Sequence, residues 1–596
     1  MLPGKQTAAL DGARLPFAEI WMADFEFIAR SGEIPRPICM VAEEFWSGRQ
    51  IRLWEDDLQR LHTAPFDTSP NACFVAYFAS AEFGCFLALG WPLPANTLDL
   101  FAEHRVMTNG KRLPHNNSLL GAARHFGINT MGAHEKETMR DLIMAGGPWS
   151  AADRVAILDY CASDVELLRP LLVSMAPELV ATQQRLGHAV WRGRYMGAVA
   201  TMENNGVPID TEVLRAINAN WQGIQEQLIA DVDHSYGVYD ERTFKVDRFA
   251  AYLSASNIPW PRLDTGRLAL DDDTFRGMAR AYPQISQLRE LRHALGALRL
   301  NSLAVGLDGR NRTLLSPFRS KTGRNQPSNS RAIFGAAVWV RGLIKPDPGT
   351  ALAYLDFSSQ EFAIAACLSG DEKMWRAYES GDPYLQFAKD AGLAPQDATK
   401  ASHEAIRDRC KAIVLGVQYG MSAHGVAQRA GIMVAEAREL LQLHQEHYRA
   451  FWTWADENVE NALAGATLST PMGWQFRQGI GTEGNPRSIL NWPMQSTGAD
   501  ILRLSCVRLM TAGVKICAPV HDAVLIEAPL EVIDEHVQLA RDIMAQACRD
   551  VLGGKPCRID AEVIRAPNRY MDTKRGAGMW DTVMRCVGLP TFGGTE

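Results

Sequence analysis

The chain has 596 residues, 47% of them apolar, and a formal net charge of −7. Its length predicts roughly four domains of ordinary size, and its acidity argues against a protein that coats nucleic acid passively. No run of about 18 apolar residues and no secretory signal pattern occurs, which predicts a cytoplasmic protein with no membrane span. The eleven cysteines form no CxxC pair and no spaced Cys/His set, so they are expected to be buried, reduced thiols.

Residues 1 to about 180 mix short apolar strand candidates with helical stretches, which is the pattern of an α/β domain. In "WMADFEFIA", Asp24 and Glu26 lie two residues apart on a strand candidate, so both carboxylates point to the same side. In "YCASD", Tyr160 and Asp164 lie one helical turn apart, which would let the phenol orient a water beside a carboxylate. These four side chains are the candidate site of the first domain.

Residues 181–305 are predicted to be mainly helical and to form an arm. The helical pattern breaks at "NNGVPID", where Gly206 suits a helix C-terminus and Pro208 blocks continuation. A basic segment from Gly309 to Pro346 follows, without any Asp or Glu. A solvated loop would explain this segment, but in an acidic chain we favour contact with phosphate. Its cations are Arg310, Arg312, Arg319, Lys321, Arg324, Arg331, Arg341 and Lys345.

The stretch "ALAYLDFSSQEFAIAACLSGD" predicts a buried strand over Ala351–Leu355 and an apolar helix over Glu361–Leu368, with Asp356 at the junction. Such a junction aims a side chain rigidly, although an Asp there could instead cap the helix. In "APVHDAVLIEAP", Asp522 lies at the tip of a predicted hairpin, where an ordinary turn Asp is the alternative. Two acids on neighbouring strands could hold two divalent cations about 3.5–4 Å apart for in-line phosphoryl transfer.

Between these acids, "RDRCKAIVLGVQYGMSAHG" predicts a helix that ends at Gly420. Two cations, an apolar residue and an aromatic residue follow one another along a single face, in an order that suits a triphosphate, a sugar and a base. A plain amphipathic helix would explain the spacing but not this order. The four residues recur at every fourth position: Arg407, Lys411, Leu415 and Tyr419.

These motifs occur in the order and spacing of the palm and fingers of family A DNA polymerases, the DNA polymerase I type, which the chain resembles from about residue 185 onward. The resemblance implies an α+β right-hand polymerase domain of palm, fingers and thumb. It also implies template-directed addition of dNTPs to a primer 3′ end by two-metal phosphoryl transfer, in DNA replication or repair. The seven motifs are "MENNGVPID", "SKTGR", "DFSSQE", the Arg407–Gly420 helix, "RSILNWPMQSTGAD", "VHDA" and "GAGMW".

The resemblance further implies roles for single residues. Asp356 and Asp522 resemble the metal-binding carboxylates, with the Phe357 carbonyl as a further ligand of two Mg²⁺ ions, which Mn²⁺ can replace. Arg407 and Lys411 resemble the triphosphate binders, and Lys411 is placed to protonate the leaving pyrophosphate. The other implied positions are Glu361 at the sugar 2′ position, Leu415, Tyr419 and His521 around the incoming nucleotide, Thr322 and Arg324 at the primer end, and Arg487, Asn491 and Gln495 at the nascent pair and template.

The chain departs from the family pattern at three positions. Leu415 stands where the family usually has Phe or Tyr, Pro519 where it has Gln, and Ala523 where it has Glu. Because both metal-binding acids are kept, we expect activity with altered nucleotide selectivity.

The first domain resembles the DnaQ-like 3′-to-5′ exonuclease that precedes many family A polymerases, which implies an RNase H-like α/β fold. "YFASAEFGCF" offers Glu82 where the middle motif of that domain normally has Asp. Asp24, Glu26, Glu82 and Asp164 would then hold two Mg²⁺ ions for proofreading hydrolysis, with Tyr160 orienting the water. No 5′ nuclease domain is expected ahead of it, which suits an enzyme of a phage or mobile element as well as one of a bacterial cell.

The expected organisation is a nuclease domain at 1–180, a helical thumb at 181–305, a first part of the palm at 306–380, helical fingers at 381–480 and a second part of the palm at 481–596. The expected partners are primer-template DNA and dNTPs. A helicase, primase, single-strand-binding protein or processivity factor could act with the enzyme in the cytoplasm of a bacterium or of a phage-infected host.

Three alternatives remain. A single-subunit RNA polymerase shares the palm and fingers, but Glu361 and the nuclease-like front argue against it. A catalytically dead scaffold is the second, and a nuclease whose C-terminal part only grips substrate is the third. Both are disfavoured by the joint retention of Asp356, Asp522, Arg407 and Lys411.

Overall fold

The computed structural model describes residues 15–129, 133–297, 302–479 and 485–592. The chain divides into two compact units, each built from three separate stretches of sequence. Among the described residues, no helix has the length and apolar character needed to cross a membrane. The first unit comprises Met1–Asn205, Leu315–Gln326 and Leu352–Val563, and the second comprises Gly206–Leu314, Pro327–Ala351 and Ile564–Glu596.

The front of the first unit is an α/β region, as its sequence predicts. Its apolar runs form buried strands, and Ser150 begins the longest helix with a capping box that it shares with Asp153. The elements are β1 (Glu19–Ile28), β2 (Arg36–Glu44), β3 (Gln50–Trp54), α1 (Glu55–Leu58), β4 (Ala72–Ala76), α2 (Ser80–Ala88), β5 (Thr97–Asp99), α3 (Leu100–Thr108), α4 (Leu119–His125), α5 (Ala133–Met144), α6 (Ala151–Leu179) and α7 (Gln183–Asn205).

The five strands form one mixed sheet in the order β3-β2-β1-β4-β5. Strand β1 lies at its centre, antiparallel to β2 and parallel to β4, and its register with β2 shifts between Glu26 and Phe27. Helix α6 packs across β1 and β2, where Arg169 donates to the Glu43 carboxylate at 2.6 Å and Cys161 Sγ donates to the Asp24 carbonyl at 3.2 Å. The helix therefore lies directly over the strand that carries the first acidic motif.

The middle of the chain, in the second unit, is mainly helical, as predicted. It packs around a small aromatic core in which the rings of Phe249 and Phe275 stack at 5.5 Å. Gly206 ends α7 with a φ of +61°, which confirms the predicted helix end. The elements are β6 (Val207–Pro208), α8 (Thr211–Ala219), α9 (Trp221–Asp233), β7 (Tyr239–Asp240), β8 (Thr243–Phe244), α10 (Val246–Ala255), α11 (Asp272–Ala281), α12 (Ser286–Ala297) and β9 (Arg310–Asn311).

Helix α7 lies at the start of the predicted arm of residues 181–305 and belongs to the first compact unit. Asn205, its last residue, donates its side-chain amide to the Ile516 carbonyl at 2.8 Å. The second compact unit starts at Gly206, directly after this helix.

The remaining elements supply a second sheet and the helices around it. They are β10 (Thr350–Phe357), α13 (Gln360–Ser369), α14 (Glu372–Glu379), α15 (Pro383–Asp390), α16 (Glu404–Gln418), α17 (Ala423–Ala430), α18 (Val434–His447), α19 (Arg449–Leu463), β11 (Thr467–Ser469), β12 (Gln475–Arg477), α20 (Pro486–Thr511), β13 (Lys515–Val520), β14 (Ala523–Pro529), α21 (Ile533–Val551), β15 (Ile559–Arg565) and α22 (Ala577–Cys586).

The second sheet has the strand order β13-β14-β10-β15. Strands β13 and β14 form the predicted antiparallel hairpin, and β10 lies between β14 and β15. Helix α20 is buried along most of its length, from Ile489 to Leu509. All eleven cysteines are free thiols and nine are buried, in agreement with the sequence.

Candidate functional site

The strand order of the second sheet brings the two predicted acids together. Asp356 lies near the end of β10 and Asp522 lies in the turn between β13 and β14. The N–H of Phe357 donates to the Asp522 carbonyl at 3.3 Å, which ties the two strand ends to each other. Asp356 does not cap the next helix, because Ser359 is the N-cap residue of α13. The capping alternative for Asp356 is therefore wrong.

A third carboxylate, Asp560, joins this pair from β15, the other neighbour of β10. The Ser358 hydroxyl donates to Asp560, and the Ser358 N–H donates to the Arg558 carbonyl at 2.9 Å. Asp560 was not predicted from the sequence, because nothing in the spacing shows which strand pairs with β10. The available signal was a single acid in the strand-like stretch "RIDAEV". Ala523, where the family usually has an acid, is fully buried.

The surroundings of Asp356 disfavour its ionised form. Burial, followed by repulsion from Asp522 and Asp560, raises the pKa of Asp356 to about 7. Burial also raises the pKa of Asp522, although a backbone hydrogen bond and the nearby Arg324 and His521 oppose this. The Oδ1 atom of Asp356 is buried with no hydrogen-bond partner among the described residues. Clustered carboxylates with an unpartnered oxygen are the donor set that Mg²⁺ prefers, so these residues fit a divalent cation.

Two residues with left-handed backbone flank the acids. Ser359 has a φ of 52° and His521 a φ of 56°. A non-glycine residue in this region costs about 1–3 kcal/mol and persists only where its surroundings hold it. Here the strained residues set the turn that carries Asp522 and the start of α13.

Glu361, in the first turn of α13, connects three of the predicted site residues. Its Oε1 atom lies 3.2 Å from Nη2 of Arg324. Tyr419 lies near the same carboxylate: burial raises the pKa of Tyr419, and the negative charge of Glu361 raises it further. Arg324 therefore orients the Glu361 carboxylate, and Tyr419 lies beside it.

The two predicted phosphate-binding cations lie one turn apart on α16. Arg407 and Lys411 approach the ring of Tyr384, at 5.6 and 5.7 Å from its centroid. Arg407 is ion-paired with Asp382 and lies 3.2 Å from Asp408. Any anionic ligand of Arg407 must therefore compete with two carboxylates. Tyr384 was not found from the sequence, because it lies outside the four-residue repeat.

The C-terminal end of α16 packs against α20. Tyr419 is the C-cap residue of α16, and Gly420 follows it with a φ of +61°. A Cβ on Gly420 would lie 2.9 Å from Cγ of Arg487. Leu415 is half-buried one turn earlier. Only glycine allows this close approach, so the predicted helix end at Gly420 is confirmed with a packing reason.

The three α20 residues share one face. Arg487 is exposed, Gln495 is half-buried, and Asn491 is buried with no hydrogen-bond partner for its Oδ1 among the described residues. One turn further, a Cβ on Gly498 would lie 2.9 Å from the Gln360 side chain, next to Glu361. This face therefore lies against the start of α13.

The front sheet holds a second acidic cluster. Ligand atoms of Asp24, Glu26 and Cys161 all lie within 4.8 Å of one another. Glu82 is buried, and its Oε2 accepts a hydrogen bond from the Phe25 N–H at 2.8 Å. The register shift after Glu26 lies beside this cluster, a common position for a β-bulge. Cys161 was missed by the sequence analysis, which read "YCASD" only for its phenol and its carboxylate.

Helix α6 adds the last two predicted residues to this cluster. Burial, then repulsion from Asp24 and smaller contributions from Glu26 and Asp164, raise the pKa of Glu82 well above its usual range. Burial raises the pKa of Tyr160, and the negative charges of Glu26 and Asp164 raise it further. The structure thus brings together all five residues that the sequence selected in the front domain.

The fold as a whole is that of a polymerase domain. A solved structure of the POL domain of Pol1 from M. smegmatis, in a complex with DNA primer-template and dNTP, is similar to this chain at a TM-score of 0.72 and 18% sequence identity. The match covers 95% of this chain and 98% of the M. smegmatis chain. At this identity the likeness shows the fold alone.

Sequence comparisons give a family match for part of the chain. Residues 324–563 match the family model described as DNA polymerase family A. The chain is 24% identical over 421 residues to the DNA polymerase of Mycobacterium phage D29, covering 68% of each chain. It is 26% identical over 381 residues to the thermostable DNA polymerase I of Thermus thermophilus, covering 59% of this chain and 44% of that relative. Residues 324–563 thus match a family A DNA polymerase domain, and the resemblance predicted from the motifs is confirmed.

The raised pKa of Asp356 makes the stability of the metal-free protein depend on pH. The folded state holds this proton more tightly than the unfolded chain, so its stabilising effect is complete below about pH 4 and is lost as the pH rises through about 7. Asp356→Asn cannot ionise, and its melting temperature relative to wild type should therefore increase between pH 5 and pH 8, measured by thermal unfolding with a chelator.

A suitable control is Asp550→Asn. Burial opposes ionisation of Asp550, but hydrogen bonds from Arg508 and Gln546 outweigh it and lower the pKa of this carboxyl. Its titration therefore lies below the tested range, and its offset from wild type should stay constant. Equal pH dependence in the two variants would contradict the assignment of the raised pKa to Asp356.

Proposed function

We propose that this chain is a template-directed DNA polymerase that extends a primer 3′ end with dNTPs, in DNA replication or repair. The observation that carries the proposal is a set of three carboxylates, Asp356, Asp522 and Asp560. They lie together at the strand ends of one sheet within a family A polymerase domain. Neither a passive scaffold nor a protein that only binds DNA needs a buried carboxylate beside two others, because the free-energy cost of ionising it is offset only when cations bind.

Asp356, Asp522 and the carbonyl of Phe357 would hold two Mg²⁺ ions, which Mn²⁺ can replace. When bound, such ions lower the pKa of the attacking hydroxyl and neutralise charge on the transferring phosphoryl group. Asp560 would orient this set through Ser358, because its carboxylate accepts a hydrogen bond from the Ser358 hydroxyl. Asp560 would therefore support the metal ligands without binding a metal ion itself.

Arg407 and Lys411 bind the triphosphate, since they lie one turn apart beside the Tyr384 ring. Arg407 exchanges Asp382 for phosphate when the nucleotide enters. Lys411 then gives a proton to the leaving pyrophosphate, because an ammonium at this position is a suitable general acid. Leu415 and His521 line the nucleotide site.

Tyr419 and Glu361 select base and sugar. Tyr419 is 40% exposed, so its ring is available for stacking on the incoming base. Glu361 is held in place by Arg324 and lies near Tyr419, and its carboxylate excludes a 2′-hydroxyl.

Primer-template DNA contacts the remaining predicted residues. The M. smegmatis neighbour is bound to primer-template and dNTP, which supports the same class of ligand here. Thr322 and Arg324 hold the primer end. On α20, Arg487, Asn491 and Gln495 touch the nascent pair and template, and the unpartnered Oδ1 of Asn491 suits a minor-groove contact.

A second activity, 3′-to-5′ hydrolysis of the primer end, is supported by the front cluster. Asp24, Glu26 and Asp164 would hold two Mg²⁺ ions, with Glu82 as the fourth acid. Tyr160 would orient the attacking water, because it lies on α6 beside the acids. Partners of the replication machinery, such as a helicase, primase, single-strand-binding protein or processivity factor, would act with such an enzyme.

Asp522→Ala should lower dNTP incorporation by several orders of magnitude, because it removes one of two acids that hold the metals, while binding of duplex DNA survives. Primer-extension gels with Mg²⁺ and dNTPs, rNTPs or no nucleotide measure this and separate a DNA polymerase from an RNA polymerase or a nuclease. Asp542→Ala, on the exposed face of α21, is the control that should extend normally. Near-normal extension by Asp522→Ala would remove the proposal.

Asp24→Ala should abolish degradation of a 3′ end in the absence of dNTPs and leave extension of a paired primer nearly unchanged, because the two acidic clusters lie on different sheets. Glu19→Ala, on the same strand but outside the cluster, should degrade normally. Persistent degradation by Asp24→Ala would show that the front cluster is not the nuclease.

Glu361→Ala should lose much of the discrimination against rNTPs. A 2′-hydroxyl must displace or desolvate this carboxylate, which costs about 1–3 kcal/mol, or roughly five- to 150-fold in the kcat/KM ratio of dNTP to rNTP. The matched control is Glu372→Ala, another acid in the first turn of a helix and ion-paired at its own site, with Lys555. An unchanged ratio in Glu361→Ala would reduce Glu361 to a helix-start carboxylate and reopen the RNA polymerase alternative.

A further inference from the structure

The loop Leu315–Gln326, called the primer loop below, carries Thr322 and Arg324. Its base is closed by a hydrogen bond from the Gln326 N–H to the Leu315 carbonyl at 3.0 Å. Within it, Gly323 has a φ of +75° and packs so tightly that a Cβ would lie 3.0 Å from the Trp474 ring. The loop is therefore a defined structure that places Arg324 against Glu361.

One backbone carbonyl in this loop is held by three side chains. The Lys321 carbonyl accepts hydrogen bonds from Asn109 Nδ2 at 2.7 Å, Trp492 Nε1 at 2.8 Å and Trp474 Nε1 at 3.1 Å. A carbonyl oxygen has two lone pairs, so three N–H donors use its capacity fully. The residue that follows is Thr322, so the position of this carbonyl fixes the start of the primer-end contact.

Asn109 comes from the α/β region, not from the polymerase sheet. It follows α3, is buried, and uses the same nitrogen to donate to the Gln475 carbonyl at 2.7 Å. Its own carbonyl accepts from the Arg477 N–H at 3.0 Å. A Cβ on Gly110 would lie 2.2 Å from the Arg477 carbonyl, so the backbone after α3 is fixed against β12.

A second residue of α3 holds the same loop. Arg105 donates through Nε to the Phe318 carbonyl at 3.2 Å and through Nη2 to the Arg319 carbonyl at 3.3 Å. From the other side, Arg503 of α20 donates to the Gly323 carbonyl at 2.7 Å. The primer loop is therefore held between α3 and the polymerase core at four carbonyls, those of Phe318, Arg319, Lys321 and Gly323.

We infer that Asn109, with Arg105 in support, is a positioning residue of the polymerase site: the α/β region fixes the primer loop and so sets how Thr322 and Arg324 meet the primer end. This rests on the proposed polymerase function. Asn109 touches neither acidic cluster. Its amide nitrogen holds the Lys321 carbonyl, and its amide oxygen accepts from Nη2 of Arg105 at 3.4 Å. Because the two indoles still satisfy that carbonyl, loss of Asn109 loosens the loop at Lys321 without leaving the acceptor empty, while Arg105 still holds Phe318 and Arg319.

The test is Asn109→Leu, which keeps the size of the side chain and removes its donors. The matched control is Asn96→Leu: Asn96 also donates its amide to two backbone carbonyls of the α/β region, those of Pro70 and Ala72 at 2.9 and 3.1 Å, away from the primer loop. Steady-state extension should give a KM for primer-template raised about fivefold or more in Asn109→Leu, with kcat within about threefold of wild type, since one or two hydrogen bonds of about 1 kcal/mol each are lost. Asn96→Leu should stay within about twofold in both constants.

Arg105→Met provides a second, milder variant of the same contact and carries the test if Asn109→Leu does not fold. It should raise the same KM in the same direction, while hydrolysis of a single-stranded 3′ end stays at the wild-type rate in all three variants. An Asn109→Leu protein with the KM of Asn96→Leu, or one in which kcat falls and KM does not change, would overturn the inference. Absence of extension by the wild type would instead overturn the proposed function itself.

Discussion

The burial of Asp356 beside two further carboxylates is the constraint on which the polymerase site depends. Burial first, and then the negative charges of Asp522 and Asp560, raise the pKa of Asp356 to about 7. The fold holds them in place through backbone hydrogen bonds between strand ends, such as the bond from Phe357 to Asp522. The fold therefore loses some stability at a site where bound cations would neutralise the negative charge. Functional sites commonly carry strain of this kind.

The front cluster also places several carboxylates close together, but its surroundings differ. Glu82 is wholly buried and accepts a backbone N–H from Phe25, whereas Asp356 keeps a buried oxygen with no partner among the described residues. The front cluster also includes the Cys161 thiol, which donates to the Asp24 carbonyl. Each acidic set thus has its own environment, which is expected if the two sites perform different reactions on the same nucleic acid.

Local patterns predicted the site better than they predicted its packing. Asp356, Asp522 and the Arg407 helix were found because strand ends and helix faces have short-range signals. Asp560 was not, because strand order is a long-range property. The basic segment shows the same limit: Arg310 and Arg312 are paired with Asp347 and Asp308, acids that lie just outside the segment. Fewer of its cations are therefore available to phosphate than the sequence indicated.

Helix α3 gives the two clusters a shared rigid element. At its start, Asp99 caps the helix by accepting from the Ala102 N–H and also accepts from the Ala79 N–H, just before α2, which carries Glu82. At its end, Asn109 holds the primer loop. The nine residues of α3 thus lie between the Asp99 contact, which holds the start of the helix carrying Glu82, and the Asn109 contact, which holds the primer loop. The two ends make separate sets of hydrogen bonds, so measuring both activities distinguishes a substitution at one end of this helix from a substitution at the other.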